Sequence, residues 1–275
     1  MTMVVETKVE AGSIAARIRK PSPKINHFAV VIYGRGGTGK TTLLGTMPGK
    51  GLILDIPQVE GGTMVLSDKA DRIDVLPVTK WADFSDAWEF LSQTKHDYKW
   101  VAIDTITAAQ ELAKRRTLKE RDTGSFAGDP HQITMQDWGK IGELNKELYY
   151  RFKLLPFHLI LTAQELLKGT GEDGTLEYQP NISPASQNGL TAMHVIGRLY
   201  TREVSDGTTK ERTTERRLRV GAISTAVAKA RAVPGRAVPP VIKNPNLGQI
   251  LGYLAGQDVP APEGVQEDLG FIELS

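Results

Sequence analysis

The chain contains no cysteine. Disulfides, zinc–thiolate sites and a cysteine nucleophile are thereby excluded. No apolar run approaches the ~20 residues needed to span a bilayer, and the N-terminus lacks the basic-then-apolar order of a signal peptide. The expectation is a cytoplasmic protein with no membrane partner. Cations are missing from one end: Asn244 to Ser275 holds five Asp/Glu and no Lys or Arg. The segment before it, Gln187 to Lys243, holds eleven Lys/Arg against four Asp/Glu, a net of +7. A basic segment followed by an acidic end points to a polyanionic partner and a tail that competes with it. The plainer reading is a solvated strand pair and a free end. What is present is ordinary for a soluble domain: 40% hydrophobic and 24% charged residues over 275 positions. That is enough for one α/β core of about 200–250 residues.

Along the chain, residues 1–24 carry no clear period and are expected to form an N-terminal arm or an edge strand. The run "HFAVVIYG" ending at Gly34 is apolar throughout, as a strand buried on both faces must be. Similar strands are expected over Gly51–Ile56, Arg72–Val78, Lys99–Thr105 and Phe157–Glu165. Helices are expected near Lys40, over Asp83–Thr94, from Thr105 to about Glu120, and over Met135–Lys153. This alternation implies a mostly parallel sheet flanked by helices. Arg121–Thr134 and Lys168–Gly189 read as loops. After Leu190 the period becomes two, with a Ser205-Asp206-Gly207 turn, which predicts an antiparallel C-terminal hairpin at the sheet edge. The expected division is an arm (1–24), a core (25–255) and an acidic tail (256–275).

"GRGGTGKT" satisfies G-x-x-x-x-G-K-[ST] in full: Gly34, Arg35, Gly36, Gly37, Thr38, Gly39, Lys40, Thr41. Thr42 follows it. Glycines at this spacing let backbone N–H groups wrap a phosphate, and the following helix adds its positive end. Lys40 is expected to reach the β- and γ-phosphates of ATP, and the Thr41 hydroxyl to bind Mg²⁺. Asp104, ending the strand "WVAID", is the second candidate Mg²⁺ ligand; a helix cap is its alternative role. Hydrolysis needs a group that orients or deprotonates water. Glu60, in "LDIPQVEGGT", is the candidate, with Asp55 as rival. Gln164 in "LTAQE" ends a strand where its amide can sense a γ-phosphate, and Thr162 can touch the same group or Asp104. Lys229 and Arg231, two apart, can reach ATP held by a neighbouring subunit, or face DNA or solvent.

Taken in order, "GRGGTGKT", "LDIPQVEGGT", "VAIDT", "QDWG", "LTAQE", the "GRL…RRLR" hairpin and "AKAR" resemble the RecA-like core ATPases. More closely, they resemble the phage-encoded RecA-core proteins of single-strand annealing and recombination. The resemblance spans His27 to Gly252. It implies a RecA-like P-loop core, ATP and Mg²⁺ as cofactors, and DNA-stimulated ATP hydrolysis. It also implies a homo-oligomer, filament or ring, with ATP at subunit interfaces. Single-stranded DNA is the implied partner, with a single-strand-binding protein as a further one, in a host cytoplasm. By the same resemblance Glu60 activates water, Gln164 links the γ-phosphate to a DNA-binding loop beginning at Glu165, and Lys229 and Arg231 cross the interface. Arg121–Thr134 takes the place of a first DNA-binding loop. The segment after Gln164 is acidic for such a role, so Arg216, Arg217 and Arg219 of the hairpin are the candidate source of charge. Two other readings compete: an ATP-gated loader for a replication helicase with little turnover, and a small-molecule kinase. The second lacks an arginine-rich lid.

Overall fold

The computed structural model describes residues 26–57, 62–121, 132–170, 175–205 and 212–265. Six strands form a parallel sheet: β1 (Ala29–Gly34), β2 (Gly51–Asp55), β3 (Ile73–Pro77), β4 (Trp100–Asp104), β5 (His158–Thr170) and β7 (Val195–Ser205). Their order across the sheet is β7-β1-β5-β4-β2-β3. β1, β2 and β4 are buried along their whole length. This explains why they read as unbroken apolar runs rather than alternating ones.

Beyond β7 the sheet turns antiparallel. β8 (Arg212–Arg219) pairs with β7, and β10 (Val241–Lys243) pairs with β8. The short β9 (Lys229–Ala230) pairs with the start of β7. The expected edge hairpin is therefore present. The chain runs on from β10 through a buried helix and returns beside it, where Val265 N–H donates to the Val241 carbonyl.

Each face of the sheet carries its own core. On one lie α2 (Ala82–Gln93), α3 (Ile106–Glu120) and α4 (Met135–Lys153), contributing Phe84, Leu91, Leu112, Ile141, Tyr149 and Phe152. On the other lie α1 (Lys40–Leu44) and α6 (Leu247–Leu254), with Leu43, Leu44, Leu247, Ile250 and Leu254 around Trp100 and Ile32. Each such aliphatic side chain, fully buried, contributes roughly 1.5–3 kcal/mol of transfer free energy.

The segment expected as a loop over Lys168–Gly189 is ordered differently. β5 continues past the sheet to Thr170 and folds back antiparallel on β6 (Thr175–Pro180), followed by α5 (Pro184–Leu190). Ser183 caps α5 by accepting from the Ser186 N–H, and Pro184 opens it. Of the glycines that suggested a loop, Gly169 lies in β5 and Gly189 in α5.

Candidate nucleotide site

The strand order decides what meets at the C-terminal ends of the parallel strands. β5 lies between β1 and β4, with Gly34 opposite Gln164, Ile32 opposite Thr162, and Ile103 opposite Leu161. The end of β5 thus stands between the glycine-rich loop and Asp104. Gly37 and Gly39 adopt φ of 80° and 88°, a region that only glycine enters without strain. A Cβ on Gly36 or Gly37 would point into open space, so the loop faces a cleft. A Cβ on Gly34 would stand 2.1 Å from the Leu199 carbonyl oxygen, which ties the first glycine to close packing of β1 on β7.

Lys40 is buried. An isolated buried ammonium is costly, and here Nζ is surrounded by acceptors. It donates to the Gly34 carbonyl (2.9 Å), the Arg35 carbonyl (3.0 Å) and Gln164 Oε1 (3.3 Å). Thr41 Oγ1 donates to Asp104 Oδ2 at 2.7 Å, and Thr162 Oγ1 donates to Asp104 Oδ1. Asp104 is buried and held on both oxygens. The helix-capping role falls to its neighbour: Thr105 Oγ1 accepts from the Ala108 N–H at the start of α3. Asp55 opposes Asp104 across β2–β4 and accepts from Thr63 at 3.5 Å. The cleft, of about 390 Å³, is lined by Gly36, Gly37, Lys40, Thr41, Asp104 and Gln164, with Asp55 at its side.

Gln164 is fixed from behind. Its N–H donates to Thr107 Oγ1 at 3.0 Å. The side chain of the next residue, Glu165, is covered and paired with Arg198, with Nε to Oε2 at 2.6 Å; exposed Arg35 of the loop lies 3.8 Å from its other oxygen. The Arg198 guanidinium also stacks 3.3 Å from the centre of the Tyr178 ring on β6. Tyr33, just before Gly34, donates its hydroxyl proton to the Tyr178 carbonyl (3.0 Å) and the Val227 carbonyl (2.9 Å). Burial pushes this phenol's pKa well up, Glu165 pushing the same way and Arg198 opposing. The end of β1 and the glycine-rich loop thus meet the β5–β6 hairpin through Tyr33–Tyr178, Arg35–Glu165 and Lys40–Gln164.

Glu60 lies outside the described residues, as does most of Arg121–Thr134. Lys229 and Arg231 are not brought to this cleft. β9 pairs with Val195 and Ile196 at the start of β7, while the loop follows the end of β1, beside Arg198. The two cations therefore stand at the opposite edge of the sheet. There Lys229 Nζ donates to the Thr191 carbonyl (2.6 Å) and Lys153 Nζ to the Ala192 carbonyl (2.6 Å). Burial and then Arg231 lower the pKa of both lysines.

The hairpin arginines divide. Arg217 and Arg219 are buried, and Arg217 pairs with Glu215 at 3.2 Å. Leu218 and Val220 on the alternate face are buried as well, so both faces of β8 are covered at this end and the two arginines are not exposed charge. Arg216 points to the other face, and its guanidinium packs against Gly39. Thr107 and Arg198 are site residues that motif reading missed, and Arg216, named there only as a source of charge for DNA, packs beside the loop. For Arg216 the signal was available: Thr214, Arg216, Leu218 and Val220 share one face, and Leu218 belongs to the core around Leu43.

The model of the AAA domain family matches residues 26–232, well over half of the chain. The chain belongs to that family. No curated protein matches it. As an AAA domain it is a P-loop, nucleotide-binding ATPase-like module, and the matched span contains every cleft residue described above. The cleft suits a nucleoside triphosphate with Mg²⁺: positive-φ glycines leave room for phosphate, and a buried ammonium and a carboxylate–hydroxyl pair face it. Among the described residues no group of three or more His, Asp or Glu gathers to hold a metal. Mg²⁺ here would rest on Thr41, Asp104 and ligand oxygens. Among those residues no helix is long and apolar enough to cross a membrane.

Proposed function

We propose that this AAA domain is a RecA-like ATPase that binds single-stranded DNA and promotes annealing or recombination. Copies of it assemble in a filament or ring with ATP at their interfaces. The observation that carries the reading is the Lys40–Gln164 contact. Gln164 touches the ammonium that would meet the γ-phosphate, and it is also the residue from which β5 leaves the sheet to form the β5–β6 hairpin. An event at the phosphate can therefore move the hairpin, the element in the place of a DNA-binding loop.

In the cleft, Lys40 holds the β- and γ-phosphates and the loop N–H groups wrap the β-phosphate. Thr41 and Asp104 would hold Mg²⁺, which when bound would neutralise charge developing on the transferred phosphoryl group. Thr162 fixes the Asp104 carboxylate through Oδ1, which turns Oδ2 to the Thr41 hydroxyl. Asp55 and Glu60 are the candidates for taking the proton of the attacking water. Arg231 and Lys229, being remote from their own chain's cleft, act on the ATP of a neighbour.

A second reading has its own observation. Leu166 and Leu167 are exposed on the hairpin beside the acidic Glu177. An apolar, acidic hairpin favours a protein partner, as for a helicase loader with little turnover. ATP hydrolysis in Mg²⁺, with and without single-stranded DNA, separates the two. Several-fold stimulation by DNA, lost in Lys40→Ala, supports the recombination reading. Slow turnover indifferent to DNA supports the loader.

A further inference from the structure

A groove of about 800 Å³ lies away from the phosphate cleft, between the end of α6 and the segment that carries β9. Its floor is Val220 and Leu254, both buried. Its walls are small apolar residues, Ala222, Ala232, Val233 and Pro240 among them, and these are half-buried or exposed. The Val233 N–H donates to the Leu254 carbonyl (3.1 Å) and the Arg236 N–H to the Val233 carbonyl (3.1 Å), so one wall is fastened to α6. Two cations, Lys229 and Arg236, line the groove, and no described acid does. Among the described residues neither cation has a carboxylate partner. Lys229 holds the Thr191 carbonyl, and the Arg236 guanidinium lies 4.9 Å from the centre of the Tyr253 ring.

The chain itself leads to this groove. After α6 it returns antiparallel to β10. The Lys243 N–H donates to the Glu263 carbonyl, Gly264 stands opposite Ile242, and the Val265 N–H donates to the Val241 carbonyl. A Cβ on Gly264 would stand 2.4 Å from the Pro239 Cβ. Each further residue in this direction passes from Val241 toward Pro240 and Val238, which line the groove. Ten residues, Gln266–Ser275, follow Val265 in the sequence. They hold four large apolar side chains, Leu269, Phe271, Ile272 and Leu274, and three acids, Glu267, Asp268 and Glu273, with no Lys or Arg. Extended at about 3.3 Å per residue, four residues carry the chain about 13 Å past Val265 to Leu269. Large apolar side chains then meet walls of small ones, and carboxylates meet the two cations.

We propose that Gln266–Ser275 docks in this groove of its own chain, with Leu269, Phe271 and Ile272 against the apolar walls and the acids toward Lys229 and Arg236. The docked segment covers the edge that Lys229 shares with Arg231. Because that edge is assigned above to a neighbour's ATP, docking holds a protomer back from assembly and release favours it. This consequence alone rests on that reading of the edge; the docking does not.

The chain has no cysteine, so an introduced pair reports a single contact. Ala237→Cys, at an exposed wall position, is combined with Gly270→Cys and treated with a short bismaleimide at low protein concentration. Gly139→Cys with Gly270→Cys is the comparison, Gly139 being exposed on α4. Melting temperatures check that each variant is folded. The cross-link within one chain should form roughly tenfold faster or more for the Ala237 pair. Adding Phe271→Ser and Ile272→Ser should slow it about fivefold or more by removing apolar burial. Arg236→Glu should slow it as well, and Glu267→Arg with Asp268→Arg should restore it. A rate untouched by the two serines overturns the docking, since the tether alone then accounts for the contact. Cross-links between copies, rising with protein concentration, overturn docking in the own chain and assign the groove to a second copy's segment. Assembly in ATP and Mg²⁺, followed by light scattering, should begin at a several-fold lower protein concentration in Phe271→Ser/Ile272→Ser. An unchanged concentration overturns the hold on assembly and leaves the docked segment standing. Absence of assembly in every variant strikes the assembly reading itself, while the cross-linking rates still decide the docking.

Discussion

Thr41 donates its hydroxyl proton to Asp104 across 2.7 Å, joining the last residue of the glycine-rich loop to the end of β4, two strands away in the sheet. Such a hydroxyl–carboxylate pair, with Thr162 on the other oxygen, is built to receive a hard cation. Asp104→Asn keeps the hydrogen-bonding shape and removes the charge. It should abolish the gain in ATP affinity that Mg²⁺ confers and lower hydrolysis by about 100-fold or more, the scale of losing an electrostatic group aimed at developing charge. Calorimetric titration of ATP with Mg²⁺ and with EDTA checks it. An Asn variant that still responds fully to Mg²⁺ removes Asp104 from the metal site.

Gln164 sits between Lys40 and the hairpin, and its own N–H is anchored on Thr107. Gln164→Ala should therefore leave ATP affinity within about threefold, since Lys40 keeps two carbonyl acceptors. Stimulation of hydrolysis by single-stranded DNA should vanish. Loss of one neutral hydrogen bond, about 1 kcal/mol, is too small to explain an all-or-none loss by weakened binding alone. The split between retained binding and lost stimulation is therefore diagnostic. Parallel loss of both would place Gln164 in ATP binding instead of in signalling.

These two sites were legible because their chemistry needs fixed residue types at fixed places: glycines before Lys40, and a carboxylate at the end of an apolar strand. What was hidden depended on pairing partners. Residues 165–180 hold glycines that look like a loop, yet the alternation of Leu167, Gly169 and Leu176, Tyr178 about a turn makes a hairpin. Arg217 and Arg219 looked like exposed charge because charge alone does not reveal a face. The register of Leu199 against Leu218 fixes it, and with it the burial of Arg217 and the approach of Arg216 to Gly39. Lys229 and Arg231 read as two cations that can reach a neighbour's ATP, DNA or solvent, and their place at the far sheet edge follows from β9 pairing that no local pattern announces.

Two histidines hold the entry to β1. His158 Nδ1 accepts from the Phe28 N–H (3.1 Å), and His194 Nδ1 accepts from the Ala29 N–H (2.9 Å). Both bonds require a bare Nδ1, so the fold prefers neutral rings. Burial, with His27 adding to it, brings His158 down to about 4. Burial, then Lys153, Arg231 and Lys229, lowers His194 as well. Unfolded, both rings take up a proton near the ordinary value of 6.5. The unfolded chain binds more protons between there and about pH 4, so stability falls as pH drops through that window. Urea unfolding should lose about 1–2 kcal/mol between pH 7 and pH 5 from His158. His158→Asn, which offers an acceptor that does not titrate there, should flatten the profile. An unchanged slope would assign the acid sensitivity elsewhere.

Glycines separate into structural and permissive ones. A Cβ on Gly34 would meet the Leu199 carbonyl at 2.1 Å, and one on Gly51 would meet the Trp100 ring at 2.0 Å. Neither obstacle can yield cheaply, since one is strand backbone and the other a fully buried indole. Gly34→Ala and Gly51→Ala should each cost about 3 kcal/mol or more. Gly139, exposed within α4, has nothing within 4 Å of such a Cβ. Gly139→Ala should therefore stabilise by roughly 0.5–1 kcal/mol. Chemical denaturation of the three variants reads the contrast, and a tolerated Gly34→Ala would show that β1 and β7 can part without loss.

Arg231 is exposed at the sheet edge opposite its own chain's cleft, so any action on ATP must be in a neighbour. Arg231→Ala is preferred to a Lys229 variant because Lys229 also holds the Thr191 carbonyl. Arg231→Ala should bind ATP normally as a dilute protomer yet hydrolyse it poorly when assembled. Lys40→Ala should assemble but neither bind nor hydrolyse well. Mixed in equal amounts, the two inactive variants create interfaces where an intact loop of one meets an intact Arg231 of the other. With random head-to-tail packing this happens at roughly a quarter of interfaces, so hydrolysis should return to about that fraction of the unmodified protein. A mixture that stays inactive, while light scattering shows co-assembly, would remove Arg231 from the reaction and leave it as part of the cationic edge with Lys153 and Lys229.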